Sequence, residues 1–232
     1  TSEHLKNPSL SKMAEYYNTY YVASNMALVL SGDFDPEFVK PLIEEKFGDW
    51  KSGTSPKPLV VNEVPFKGRE VYKKRLTPIK VGVRGYRTIP KNHPDEVAFE
   101  VCANLLSNGS SSGLLDQLRT DNKLLFAGML NMNFEETGGA IVFFVPKIVG
   151  QSINNAEKEV EAQINFLRSG EFDDELLLAV KTEKKKDHEN GLEDMRSRAY
   201  SIADVFLYSN SWDEYLKTPE LIDSVTKEDI VR

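Results

Sequence analysis

Residues 105–126 do most to limit the folds open to this chain. They read Leu-Leu-Ser-Asn-Gly-Ser-Ser-Ser-Gly-Leu-Leu-Asp-Gln-Leu-Arg-Thr-Asp-Asn-Lys-Leu-Leu-Phe, which runs from a helix end through a loop of small residues and a short second helix into a strand. Upstream, Pro94 with Asp95 and Glu96 opens a helix. Its apolar residues form two adjacent i, i+4 rows, Val97/Val101/Leu105 and Ala98/Cys102/Leu106. Downstream, residues 124–134 and 140–146 read as a strand pair around Thr137, Gly138 and Gly139.

The rest of the chain extends this pattern. A helix is expected over residues 11–20, and the apolar run 26–30 is short enough to be a buried strand. Asp35 then offers an N-cap with Pro36 at the first helical position, and Phe38, Val39, Leu42, Ile43 and Phe47 recur at helical spacing until Gly48. Residues 51–67 hold Pro56, Pro58 and Pro65 and read as an extended connector inside a single domain of residues 1–232. Residues 69–75 and 79–86 read as strands. In the second, Ile79, Val81 and Val83 alternate with Lys80 and Arg84, so the apolar set is expected inside and the basic set in water. The last third is helical, with rows at Ile153/Ala156/Val160/Ile164/Leu167, at Leu176/Leu177/Val180 and at Met195/Ala199/Ile202/Ala203/Phe206. Because strands come in groups, the fold class is α+β: a mostly antiparallel sheet with helices packed on one face and the other face open.

Composition removes several function classes. Of 232 residues, 29 are Lys or Arg and 36 are Asp or Glu, a net charge of −7 that disfavours nucleic acid, whose binders carry a basic face. The basic run Lys184, Lys185, Lys186 lies among acids and reads as a solvated helix face. No stretch approaches the roughly 20 apolar residues that cross a bilayer, so no membrane partner is expected. Cys102 stands alone on an apolar helix face, which suits core packing better than nucleophilic chemistry. The chain opens Thr-Ser and closes on Thr226 with acids in a first helical turn, and so reads as a piece of a longer protein.

A set of motifs spread along the chain adds a resemblance. Tyr20-Tyr21, Ser24-Asn25-Met26, the stretch from Leu28 through Gly32-Asp33, Phe47-Gly48-Asp49-Trp50, the serine block followed by Leu114, Leu118 and Arg119, Gly170 with Glu175-Leu176, and the closing Trp212 to Ile230 stretch occur in this order. Together they resemble the pitrilysin/insulinase family of zinc peptidases, in the domain that follows the metal-binding domain within each half of those enzymes. The resemblance implies one bowl-shaped half of a chamber in which peptides are cut, in a bacterial enzyme of the cytoplasm or the cell envelope. It also implies three partners: a peptide or unfolded-protein substrate, a zinc-binding domain preceding this one, and a second peptidase half on the same chain or a separate subunit.

Zinc hydrolysis needs imidazoles and a carboxylate on one metal, with another carboxylate to take a proton from the bound water. The histidines here are His4, His93 and His188, and no pair of them has ligand spacing. The expectation is therefore no catalytic residue and no metal ligand in this chain, with zinc held elsewhere in the parent protein. The resemblance further implies that an arginine and a tyrosine from the half without zinc reach the cleft. Arg119 matches the arginine, while Phe126 stands at the tyrosine position and has no hydroxyl to donate. Both are candidate substrate-binding residues, and the phenylalanine places this domain in the zinc-bearing half. Arg119 can equally pair with Asp116 or Asp121 at the surface. The competing function is a scaffold or assembly subunit whose parent has lost zinc.

Overall fold

The computed structural model describes residues 6–54, 56–57, 67–75, 78–208 and 211–232. They divide into two compact units, Thr1–Glu63 with Asp194–Ala203, and Val64–Glu193 with Asp204–Arg232.

In the first unit, helix α1 (Leu10–Tyr20) starts where Ser9 Oγ accepts the Lys12 N–H. Helix α2 (Pro36–Phe47) starts where the Asp35 carboxylate accepts the Glu37 N–H with Pro36 behind it, and ends at Gly48, as the sequence predicts. Neither helix buries a residue. Residues 26–30, expected as a buried strand, are extended without a ladder, and Met26, Leu28 and Leu30 are 43–54% exposed. A strand exists only through its neighbours, and the described residues supply none. The connector expected over residues 51–67 lies largely outside the described residues. Those described, 51–54, 56, 57 and 67, carry no regular element.

The second unit holds an antiparallel sheet of β1 (Gly82–Thr88), β2 (Phe126–Asn133) and β3 (Gly138–Val145) in the order β1-β3-β2. Helices α3 (Glu96–Leu106), α4 (Leu114–Thr120), α5 (Ile153–Arg168) and α6 (Asp174–Glu193) pack on one face of it. Beyond α7 (Met195–Leu207) come α8 (Trp212–Leu216), α9 (Thr218–Ser224) and α10 (Lys227–Val231). The α+β reading holds. The core joins Val101, Leu105, Leu115, Leu118, Val142, Phe144, Val160, Phe172, Val180 and Ile222.

Three sequence expectations give way here. Residues 69–75 form no strand; Arg69 instead reaches Glu157 of α5 at 2.5 Å. The hairpin turns at residues 134–137, with the Phe134 N–H donating to the Thr137 carbonyl, so Gly138 and Gly139 belong to β3 rather than to the turn. Gly138 is there for closeness: a Cβ would sit 2.0 Å from the Ile89 carbonyl oxygen and 2.3 Å from Thr88 Oγ1.

The third correction decides where the site lies. In β1 it is Arg84 that faces the helices, its side chain 18% exposed and 3.8 Å from Glu157 and 3.9 Å from Glu161 of α5, while Val83 is 64% and Val81 54% exposed. The alternation was read with inside and outside exchanged. The helix side cannot take a large apolar residue in the row at Gly82, because the Phe144 ring fills it; a Cβ there would come within 2.2 Å of Phe144 Cζ. Two residues on, at Arg84, the paired acids of α5 make the helix side hospitable to a guanidinium.

Candidate functional site: the open sheet face

Alternate residues of the three strands share a face. Opposite the helices, register places Val83 beside Phe143 and Gly128, and Gly85 beside Ile141 and Leu130, with Phe126 beside Val145 at one end. The helix side takes Ala140, Val142 and Phe144, all about 2% exposed or less. The open side is thus apolar as well, with Leu130 at 52% and Phe126 at 38% exposure.

Phe126 stacks on Phe143 with ring centroids 5.3 Å apart and planes 14° from parallel. Gly128 makes room for this stack, since a Cβ would lie 3.2 Å from Phe126 Cε1 and 3.5 Å from Phe143 Cζ. At Gly85 a Cβ would meet nothing within 4 Å, so the face is notched there. Sequence reasoning singled out Phe126 but missed Leu130, Ile141, Phe143 and Val83. The signal was present in β3, where Ile141, Phe143 and Val145 alternate with Ala140, Val142 and Phe144. A strand apolar on both sides is one that something covers on both sides.

Arg119 lies in the last turn of α4, a helix whose Leu114, Leu115 and Leu118 are buried and whose Gln117 and Arg119 therefore point outward. A guanidinium is favoured at a helix C-terminus. Neither of the suggested surface partners pairs with it among the described residues. Asp116 is committed backward, where it accepts from Ser107 Oγ at 3.0 Å, the Asn108 N–H at 3.0 Å and the Gly113 N–H at 3.1 Å. From Arg119 the chain turns through Asn122, with φ at +53°, while the N–H groups of Lys123 and Leu124 both donate to the Leu118 carbonyl. Leu124 enters the core at 2% exposure, and Leu125 bonds Val145 to start the sheet. This tight return ties the arginine-bearing helix end to the strand that begins at Phe126.

Other candidates prove structural. Ser110 donates to Glu183 at 2.6 Å, and Ser112 is held by Asn108 through its N–H at 3.0 Å, so the serine loop is organised by its own hydrogen bonds. Cys102 is shielded from water, which pushes its thiol up to about 11 and keeps it protonated at neutral pH. Lys184 and Lys185 are not a bare solvated face: they pair with Glu100 at 2.9 Å and Asp223 at 2.7 Å, fastening α6 to its neighbours.

The described donor set does not fit zinc. No three His, Cys, Asp or Glu side chains converge among the described residues. His93 Nδ1 accepts the Asp95 N–H at 3.1 Å. The ring of His188 lies 4.7 Å from that of Tyr215, with Nε2 buried and unpartnered, and burial holds its pKa below the ordinary histidine value. His4 lies outside the described residues. No helix among them is long and apolar enough to cross a membrane.

Comparison with known proteins supplies the context for this face. Over 214 residues the chain is 23% identical to the zinc protease PqqE of Helicobacter pylori, covering 89% of this chain and 47% of that protein, so it spans about half the relative's length. A solved protease from Helicobacter pylori superposes with a TM-score of 0.85 at 21% identity over 100% of this chain and 57% of its own. A chain of complex III2 from Candida albicans superposes at 0.78 with 17% identity, covering 100% and 56%. The first half of the periplasmic protease PqqL from Escherichia coli superposes at 0.63 with 12% identity, covering 100% and 52%. At such identities the structures speak to fold alone. Residues 9–184 match the Peptidase M16 inactive domain, and since that is well over half of the sequence, the chain belongs to the M16, pitrilysin-type, peptidase family through its inactive domain.

Proposed function

We propose that this chain is the non-catalytic, substrate-enclosing part of a zinc-dependent endopeptidase that degrades peptides or unfolded proteins between two halves, with the zinc and its ligands on a different domain. The observation that carries this reading is the apolar open face of the sheet, ending at the Phe126–Phe143 stack, on a domain whose other face is already filled by helices. Such a face suits apolar side chains of an extended peptide, and the outer strands β1 and β2 offer backbone groups to which a peptide can add. Arg119, exposed and without an ion pair among the described residues, suits the carbonyl oxygens or C-terminal carboxylate of such a peptide. Phe126 has no hydroxyl, so any donor to a developing oxyanion comes from the second half.

The test compares the chain alone with the complete protein that contains it. Alone, the chain is expected to bind no stoichiometric zinc and to leave a quenched peptide library intact, while the complete protein holds zinc and cleaves the library. Turnover by the chain alone overturns the reading. The likeness of fold to a chain of complex III2 keeps a scaffold function as the second reading. A complete protein that assembles normally but holds no zinc and cuts no peptide decides for the scaffold.

A further inference from the structure

Of the five glycines in the strands of the sheet, four lie against another part of the chain. Gly82 is covered by the ring of Phe144, its partner on β3, and Gly128 by the rings of Phe126 and of Phe143, the latter its partner on β3. Gly138 is pressed against Thr88 and the Ile89 carbonyl, and Gly139 touches Met132. Gly85 is the exception. A Cβ there would have no atom within 4 Å.

Glycine weakens a strand, since it has the most freedom to lose on folding and no side chain to pack. The usual backbone reasons for it do not hold at Gly85. Residues 82–88 pair one for one with residues 144–138, so no bulge interrupts β1. Gly85 is also not among the glycines with positive φ, so the strand makes no special turn there. What remains is the close approach of something outside the chain.

The direction and the chemistry of that approach follow from the sheet. Ile141 pairs with Gly85 on one side and does not reach over it, while the other side of β1 is the outer edge, where no strand pairs among the described residues. A polypeptide added along that edge places alternate side chains on the open face, one of them beside Gly85. An aromatic ring at that position lies over the glycine and against Ile141 and Val83, as the rings of Phe144 and Phe143 lie over Gly82 and Gly128. Charge agrees with this occupant. This face of the three strands carries no Asp or Glu, and its one charged residue is Arg87, so a cationic side chain is disfavoured where a neutral aromatic one is not. A second copy of β1 does not fit, because its own residues on this face are Val83, Gly85 and Arg87, none of them aromatic.

We infer that the outer edge of β1 at Gly85 is a subsite for an aromatic side chain of an extended peptide bound as an added strand. This rests on the reading of the open face as a substrate surface for the peptide's being a substrate, but not for the aromatic cover over Gly85. Gly85 is then a specificity position, since any side chain there would occupy the space the ring takes.

For the test, the complete protein, kept from cutting by phenanthroline, is titrated with a labelled Thr-rich peptide carrying one Phe at its centre and with the same peptide carrying Ala there. The wild type is expected to bind the Phe peptide several-fold tighter. Gly85→Val is expected to abolish that difference and leave affinity for the Ala peptide unchanged. Valine is favoured in strands and its Cβ has open space at this position, so the variant is expected to melt no lower than wild type. With benzoylphenylalanine in place of Phe, irradiation of the wild type is expected to mark residues 83–87 or Ile141. Equal affinities in the wild type, a Phe advantage that survives in Gly85→Val, a loss of both peptides together, or cross-links confined to other places each overturn the inference. Hydrolysis without the inhibitor separates the two readings. Cleavage without a Phe advantage sinks the aromatic subsite and spares the peptidase, whereas a Phe advantage that Gly85→Val removes, in a protein that cuts nothing, upholds the subsite and sinks the peptidase.

Discussion

At the scale of single residues, closeness explains more than chemistry does. Gly138 is held between the Ile89 carbonyl and Thr88 Oγ1, and backbone cannot retreat as a flexible side chain can. Gly138→Ala is therefore expected to cost about 1–3 kcal/mol, the range of an overpacked core site, read from the midpoint of urea unfolding. A cost within error of zero would mean the hairpin opens at no penalty. His188 gives a pH dependence whose sign is fixed. Burial disfavours its charged form, outweighing the opposing pull of Glu189 and Glu220, so the folded pKa lies below the unfolded value of about 6.5. The unfolded chain takes up the proton first as pH falls. Stability is thus full above about pH 6.5 and is lost through the window between the unfolded and the lower folded pKa. His188→Gln should flatten the fall in unfolding free energy between pH 7 and 5; an unchanged slope would assign that fall to other groups.

At the scale of elements, what can be read from sequence is what an element carries within itself. Helix α2 was legible from Asp35, Pro36 and Gly48, and α10 from Thr226, whose hydroxyl and Asp229 cap each other reciprocally. Strands carry their pairing in another segment, which is why residues 69–75 read as a strand and are not one, and why the hairpin was found but its turn misplaced. The face of β1 was inverted for the same reason: alternation names two faces, and only Glu157 and Glu161 on a distant helix say which of them receives Arg84. Of the candidate site, Arg119 and Phe126 were legible through their motif, whereas Leu130, Ile141 and Phe143 depended on knowing that helices cover one side only. The loop before α4 offers a test at this scale. The Asp116 carboxylate accepts from Ser107 Oγ and from the N–H groups of Asn108 and Gly113, so Asp116→Ala should cost about 1–3 kcal/mol by leaving these three donors unmet and should speed proteolysis within residues 107–113. Unchanged cleavage would show that the serine loop is organised by Asn108 and Glu183 without it.

At the scale of the whole molecule, the chain is notable for the apolar side chains it leaves bare: one face of the sheet in the second unit, and most of the large hydrophobics described in the first unit. Single exposed hydrophobics need no explanation, but contiguous ones mark places where something binds. The two surfaces differ in kind. The sheet face belongs to strands already paired through β3, with only the outer edges of β1 and β2 open, and presents side chains and a notch, which suits a transient occupant such as a peptide. Residues 27–30 make no backbone hydrogen bond to any described residue, so there the backbone itself is left without a ladder. On the proposed reading, such a domain contributes shape and grip to a reaction whose reacting groups lie on another domain. In the complete protein, Phe126→Asp and Leu130→Asp should each raise KM for an apolar peptide several-fold while zinc content stays at its wild-type value, because only the substrate's resting surface is altered. A KM equal to wild type in both variants, with hydrolysis intact, would contradict the claim that this face holds substrate.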